Sequence, residues 1–238
     1  MSAFLYGVAL QWKLDIRSKT LLITCYVVPL LFFAIMGGIF TSINPEAKNT
    51  LIQSMTVLGV SMGAFIGLPP SLVEVYGSDS KKIYRANGVP LYLGLISMYL
   101  SAFIHLMIMS LILYAAAPLI FHAQSPENPP LYFGSLAVFT AVSLSIGCVL
   151  GLAVKNQARL TMFAQLIFLP SIMLSGIMFP AKLLPGFLEN LGKIFPAAWG
   201  YRLMTSVPWQ PGSLWPLLAI LLVAVIISVF RLKRLQSE

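Results

Sequence analysis

The chain has 238 residues, 58% of them hydrophobic and only 9% charged, with mean hydropathy +0.89 and a formal net charge of +8. A soluble domain carries about a quarter charged residues, so a water-soluble globular protein is excluded. Charge-free runs of roughly 20 residues, enough to cross a hydrocarbon core, point instead to an all-α polytopic membrane protein built as one domain over 1–238.

Residues 3–17 are predicted to form an amphipathic helix lying in the membrane interface. Phe4, Val8 and Trp12 share one side, and Gln11 falls with Asp15 on another. Lys13, Asp15, Arg17 and Lys19 then precede a full-length apolar run, which reads as a retained span rather than a cleaved signal. Six spans are predicted, at about 21–40, 51–73, 91–120, 131–154, 160–179 and 214–230. Pro29, Pro69-Pro70 and Pro170 lie where they would bend these helices. Cys25 and Cys148 both fall within apolar spans and read as packing residues, not as a disulfide or a metal pair.

Small residues mark two helix contacts. The second span carries Gly59, Gly63 and Gly67 one turn apart, and the fourth carries Gly147 and Gly151. This spacing lets backbones approach closely where lipid supplies no hydrophobic drive. Whether the partner helix belongs to this chain or to another subunit is not encoded in the motif.

The distribution of Lys and Arg sets an expected orientation. Eleven of the fifteen (Lys13, Arg17, Lys19, Lys81, Lys82, Arg85, Lys155, Arg159, Arg231, Lys233 and Arg234) fall on one side of the predicted spans. Lys48, Lys182, Lys193 and Arg202 fall on the other. The basic side is the cytoplasmic one, so both termini are expected inside. The basic excess is thus a topology signal and an attraction to anionic lipid, not a nucleic-acid footprint.

Catalytic chemistry is missing. No acidic residue lies within a predicted span, and His105, Gln53 and Gln165 are the notable polar groups there. An ion-coupled carrier generally needs several ionisable groups in the membrane. A hydrogen bond from His105 to a neighbouring helix is the simpler reading of that residue, and His122 is expected at the interface. Two histidines, two span cysteines and seven acids show no metal-ligand spacing. Gly192-Lys193 is followed by Ile194 and preceded by Phe187 at the first glycine position, so it is no phosphate loop. No convergent nucleophile and base suggest an enzyme. Any ATP-driven work must therefore come from another polypeptide.

After the fifth span comes Ser175-Gly176, then Phe179-Pro180, Leu184-Pro185, and Pro196 followed by Trp199. The apolar piece from Leu183 to Phe195 is too short to span, so the segment reads as a re-entrant helical hairpin on the outer face. Over these 30 or so residues, and in span number and orientation, the chain resembles the type 2 ATP-binding-cassette permeases, the exporter branch. The charged interval from Glu74 to Pro90 resembles that family's coupling segment at its end, Arg85-Ala-Asn-Gly-Val-Pro90. At its start it has Val75-Tyr76-Gly77 and Asp79-Ser80-Lys81 where the family has an acidic-basic-acidic triplet and Gly-Thr-Leu.

The resemblance implies a permease dimer, of identical or homologous subunits, in a bacterial cytoplasmic (inner) membrane. A pair of ATPase subunits, holding the ATP and Mg, would dock beneath it. It also implies that Trp12, Arg17, Glu74, Asp79, Lys81, Lys82, Arg85, Lys155 and Arg159 take part in ATPase coupling. The expected cargo is amphipathic: an antibiotic, a peptide or a lipid-like molecule. The competing expectation is an ion-coupled secondary transporter that needs no ATPase.

Overall fold

The computed structural model describes residues 3–77, 90–178, 184–206 and 210–237 of the chain. Among these residues every regular element is helical. Helix α1 is Ala3–Arg17. Helix α2 covers residues 19–43 and α3 is Leu51–Tyr76. Helix α4 is Leu91–Phe121, a 31-residue helix that ends at His122 in a left-handed conformation, φ 52°. Next come α5, Pro129–Ala153, and α6, Gln157–Met173. Short helices α7, Gly186–Gly192, and α8, Pro196–Thr205, lead to α9, Leu214–Ser237.

Local chemistry explains the boundaries. Asn128 accepts from the Leu131 N–H, and Asn156 accepts from those of Ala158 and Arg159, satisfying orphan donors at the starts of α5 and α6. The first two spans each contain one wide π-helical turn, Ile23–Val27 in α2 and Gly63–Gly67 in α3. Both stand directly ahead of prolines, Pro29 in one and Pro69-Pro70 in the other. A proline ring has no N–H and collides with the carbonyl one turn back. The wide turn absorbs this: Val28 N–H reaches back to Ile23 O, and Leu68 N–H to Gly63 O.

Five helices are long and apolar enough to cross a membrane by length and composition: Ile23–Ile43, Leu51–Tyr76, Leu91–Phe121, Pro129–Ala153 and Pro211–Leu235. They coincide with the predicted first, second, third, fourth and sixth spans. The predicted fifth, 160–179, corresponds to α6, which has 17 residues and stops at Met173. Hydropathy continues past that point, but the backbone does not. Gly176 takes φ 90°, and Ser175 Oγ donates to Ile172 O while accepting from Ile177 N–H, closing a tight turn. The predicted end, Phe179-Pro180, lies outside the described residues.

Burial ranks the helices. In α3, 89% of the most apolar stretch is buried, against 22% in the first and last spans. Helix α3 is therefore the post around which the others pack. Its own Phe65 is fully buried, as are Leu106 and Met109 of α4 and Phe139 of α5.

Candidate functional site

The two glycine motifs do not face each other. A β-carbon on Gly59 would stand 2.7 Å from Met109 Cε and 3.3 Å from Pro29 Cβ; one on Gly63 would overlap Leu106; one on Gly67 would lie 3.2 Å from Cys25 Sγ. The α3 stripe thus receives α4 and α2. The α5 glycines receive α3 itself: Gly151 meets Leu72 Cβ at 2.6 Å and Pro69 O at 3.2 Å, while Gly147 sits against the Ala64 carbonyl. That carbonyl lies in the wide turn, where the nitrogen five residues on belongs to Pro69 and carries no hydrogen. Backbone faces backbone there, and only glycine fits.

At the predicted inner end, Arg17, Glu74, Lys155 and Arg159 are exposed. The structure brings the end of α3 beside the α5–α6 turn: a β-carbon on Gly77 would lie 3.5 Å from Lys155 O, and Val73, Leu150 and Leu160 form a small buried cluster behind them. Asp79, Lys81, Lys82 and Arg85 lie outside the described residues.

Trp12 is placed elsewhere. Its ring stacks on His105 of α4 with centroids 4.0 Å apart and planes 7° from parallel. The Tyr26 hydroxyl and His105 Nδ1 are hydrogen-bonded at 2.7 Å, so this histidine is tied to the neighbouring first span. One turn away, Ser101 Oγ donates to Asp15, which also accepts from Gln11 Nε2 at 2.8 Å. Asp15 is 6% exposed and His105 1%. The sequence reading missed this junction: the third span contains no acid of its own, yet α1 delivers one to it. A usable signal existed in two i, i+4 polar pairs, Gln11/Asp15 and Ser101/His105, which are two facing stripes. Of the other span amides, Gln165 is exposed on α6 and Gln53 is buried on α3.

At the predicted outer end, Pro185 precedes α7 and Pro196 opens α8. Gly192 packs on the turn containing Ser175 and Gly176: its β-carbon would stand 2.5 Å from Leu174 O. Trp199 Nε1 donates to Lys193 O at 2.7 Å, bracing α8 against the end of α7. Glu189 pairs with Lys193 and Arg202, both at 3.3 Å, and the Arg202 guanidinium lies 5.5 Å over the Trp199 ring. These partners, the Lys193 hydrogen bond first, hold the Glu189 carboxyl below its ordinary range. Gly200 seats on the ring of Phe139, ten residues (about 15 Å) along α5 from its start. Leu184 is half-buried, and Phe179 and Pro180 are not among the described residues.

A helical bundle with several membrane-length apolar helices is a multi-pass membrane protein. The model of the ABC-2 type transporter family matches residues 3–209. The chain belongs to the ABC-2 type transporter family and is the membrane permease component of an ABC-type transporter. No curated protein matches it.

Proposed function

We propose that this chain is the transmembrane subunit of an ATP-driven exporter, forming with a second permease subunit the path for an amphipathic antibiotic, peptide or lipid-like cargo. A separate pair of ATPase subunits supplies the energy and holds the ATP and Mg. Both termini face the cytoplasm of a bacterial cell, α6 completes six spans, and α7 with α8 re-enter from the outside. The depth at which Gly200 meets Phe139 supports that last assignment.

The observation that carries the proposal is the family match over residues 3–209, which spans α1 to the end of the outer hairpin. The geometry adds a route for force. Helix α1 is fastened to α4 through Trp12, Asp15, Ser101 and His105, and α4 starts directly after the charged segment 78–89. Displacement of either cytoplasmic element would move the third span as a unit. The exposed apolar side chains Leu10, Leu14 and Ile16 fit an α1 that also rests in the lipid interface.

The test is reconstitution in liposomes with a candidate ATP-binding-cassette ATPase subunit. Changing Asp79, Lys81, Lys82 and Arg85 together to Ala is expected to abolish ATP-dependent transport and weaken ATPase binding. Intact transport and assembly in that variant would refute the coupling assignment. A second reading, an ion-coupled carrier, is favoured by one observation, the buried Asp15 near His105. It requires transport by the chain alone under an ion gradient, and loss of that transport in Asp15→Asn.

A further inference from the structure

Gln165 occupies a position that lipid cannot serve. It stands at the centre of α6, eight residues and about 12 Å from either end. Its side chain is exposed and forms no hydrogen bond with another described residue. The other outward-facing helices differ. In their middle turns α2, α4 and α9 expose only apolar side chains, such as Leu31 and Ile35, Ile104 and Ile108, Leu222 and Ile226. Polar side chains in the middle turns of α4 and α5, among them Ser101, His105 and Thr140, are buried. An amide left facing hydrocarbon forfeits the hydrogen bonds it makes in water.

Its neighbours on that face are apolar and regularly spaced. Met162, Leu166, Leu169 and Met173 are each more than half exposed, at intervals of four, three and four residues. That is the seam of a helix packed along another at a shallow angle. A water-filled wall would carry several polar groups, but Gln165 is the only polar side chain exposed between Thr161 and the turn at Ser175. The Thr161 hydroxyl is itself occupied, donating to Gln157 O. An amide has both donors and an acceptor, so it complements a copy of itself. Two copies in one membrane share an orientation, which brings their position-165 amides to the same depth around a two-fold axis. Glutamines bond between helices in this way within membranes.

We propose that the second permease subunit is another copy of this chain. The two α6 helices meet along Met162, Leu166, Leu169 and Met173, with their Gln165 amides paired reciprocally across the axis. The mid-bilayer depth of Gln165 and the number of permease subunits rest on the function proposed above; the exposed face does not.

The experiment uses the full chain in native membranes, without an ATPase. Cys25 and Cys148 are buried, so oxidation reports on introduced thiols. Gln165→Cys and Leu169→Cys should each give a covalent dimer with copper phenanthroline. Ile104→Cys and Ile226→Cys, on the exposed faces of α4 and α9, should not. In liposomes, energy transfer between differently labelled copies should show that Gln165→Leu weakens association about tenfold, the loss of two interhelical amide bonds. Gln165→Asn, which keeps an amide, should weaken it less. No dimer from either α6 thiol, equal cross-linking at the control positions, or unchanged association in Gln165→Leu would overturn the proposal. So would labelling of Gln165→Cys by a membrane-impermeant maleimide in place of cross-linking, which would assign the amide to a water-filled path. Cross-linking to a different polypeptide would also refute it, making the partner a homologous subunit. Cross-linking without ATP-dependent transport would leave the dimer standing and sink the exporter, and transport without cross-linking would do the reverse.

Discussion

Helices α1 and α8 are each too short to cross a bilayer, and the bundle holds them in opposite ways. Helix α1 touches α4 through polar groups: Asp15 is its only buried side chain among residues 7–17, and it accepts from Gln11 and Ser101 while Trp12 covers His105. Helix α8 carries its charged partners on an exposed rim and rests its weight on Ala197, Ala198, Gly200 and Leu203, which are buried in the bundle, Gly200 against Phe139 of α5. Exposed ion pairs contribute little, whereas hydrogen bonds shielded from water are costly to break. The hold on α8 is therefore apolar and distributed, and that on α1 is directional and concentrated in a few atoms. A directional hold can transmit displacement from one helix to another, and it is the one a single substitution can release.

The largest expected effect tests the apolar side of this contrast. Gly200→Leu forces a branched side chain into the face of Phe139, and overpacking at a buried site costs about 3 kcal/mol. The unfolding temperature in detergent should fall clearly, and the α7–α8 segment should exchange amide hydrogens faster. Arg202→Ala, which removes only rim contacts at 3.3 Å, should leave both nearly unchanged. An equal loss in the two variants would erase the distinction.

Next in size is the polar hold. Asp15→Ala strands the Ser101 hydroxyl and the Gln11 amide, a loss of about 2 kcal/mol. Hydrogen exchange should report it as release of α1 with α3 and α5 still protected. Asp15→Asn keeps one acceptor oxygen and should lose less. Trp12→Leu removes the ring stack on His105 at a cost of about 1 kcal/mol. If α1 stays protected in all three variants, the junction is not what fastens it.

The spans were legible because length and apolarity alone determine what can cross a bilayer. The wide turns and the centrality of α3 were foreshadowed by Pro29, Pro69-Pro70 and the Gly59/Gly63/Gly67 row. Which helix those glycines meet was not legible, since a small residue permits approach without naming the visitor. The end of α6 was misplaced because Ile177 and Met178 remain apolar beyond a turn made by Ser175 and Gly176. The junction at Asp15 was hidden for a different reason. Its partner Ser101 is 86 residues away in the chain, and Trp12 grouped by periodicity with Phe4 and Val8 as a membrane-facing ring. A helical face states its chemistry, but its neighbour is settled only by the fold.

The smallest effect concerns the rim of the α7–α8 segment and its dependence on pH. Lys193 and Arg202 hold the Glu189 carboxyl below its ordinary value of 4.5 in the folded chain. A group whose folded value is depressed stabilises the fold fully above its unfolded value, and that contribution disappears as pH falls through the folded one. The contribution of Glu189 should therefore be fully present and constant near neutral pH, and stability should decline below about pH 4.5 by an increment that Glu189→Gln lacks. Because the pair partners are more than a third exposed, added salt should shrink the increment. Comparing unfolding temperatures of the parent and Glu189→Gln chains from pH 7 to pH 3, at low and high salt, isolates it. A difference that grows as pH falls towards 3 would have the wrong sign, and one that ignores salt would mean that Glu189 is held by something other than the two cations.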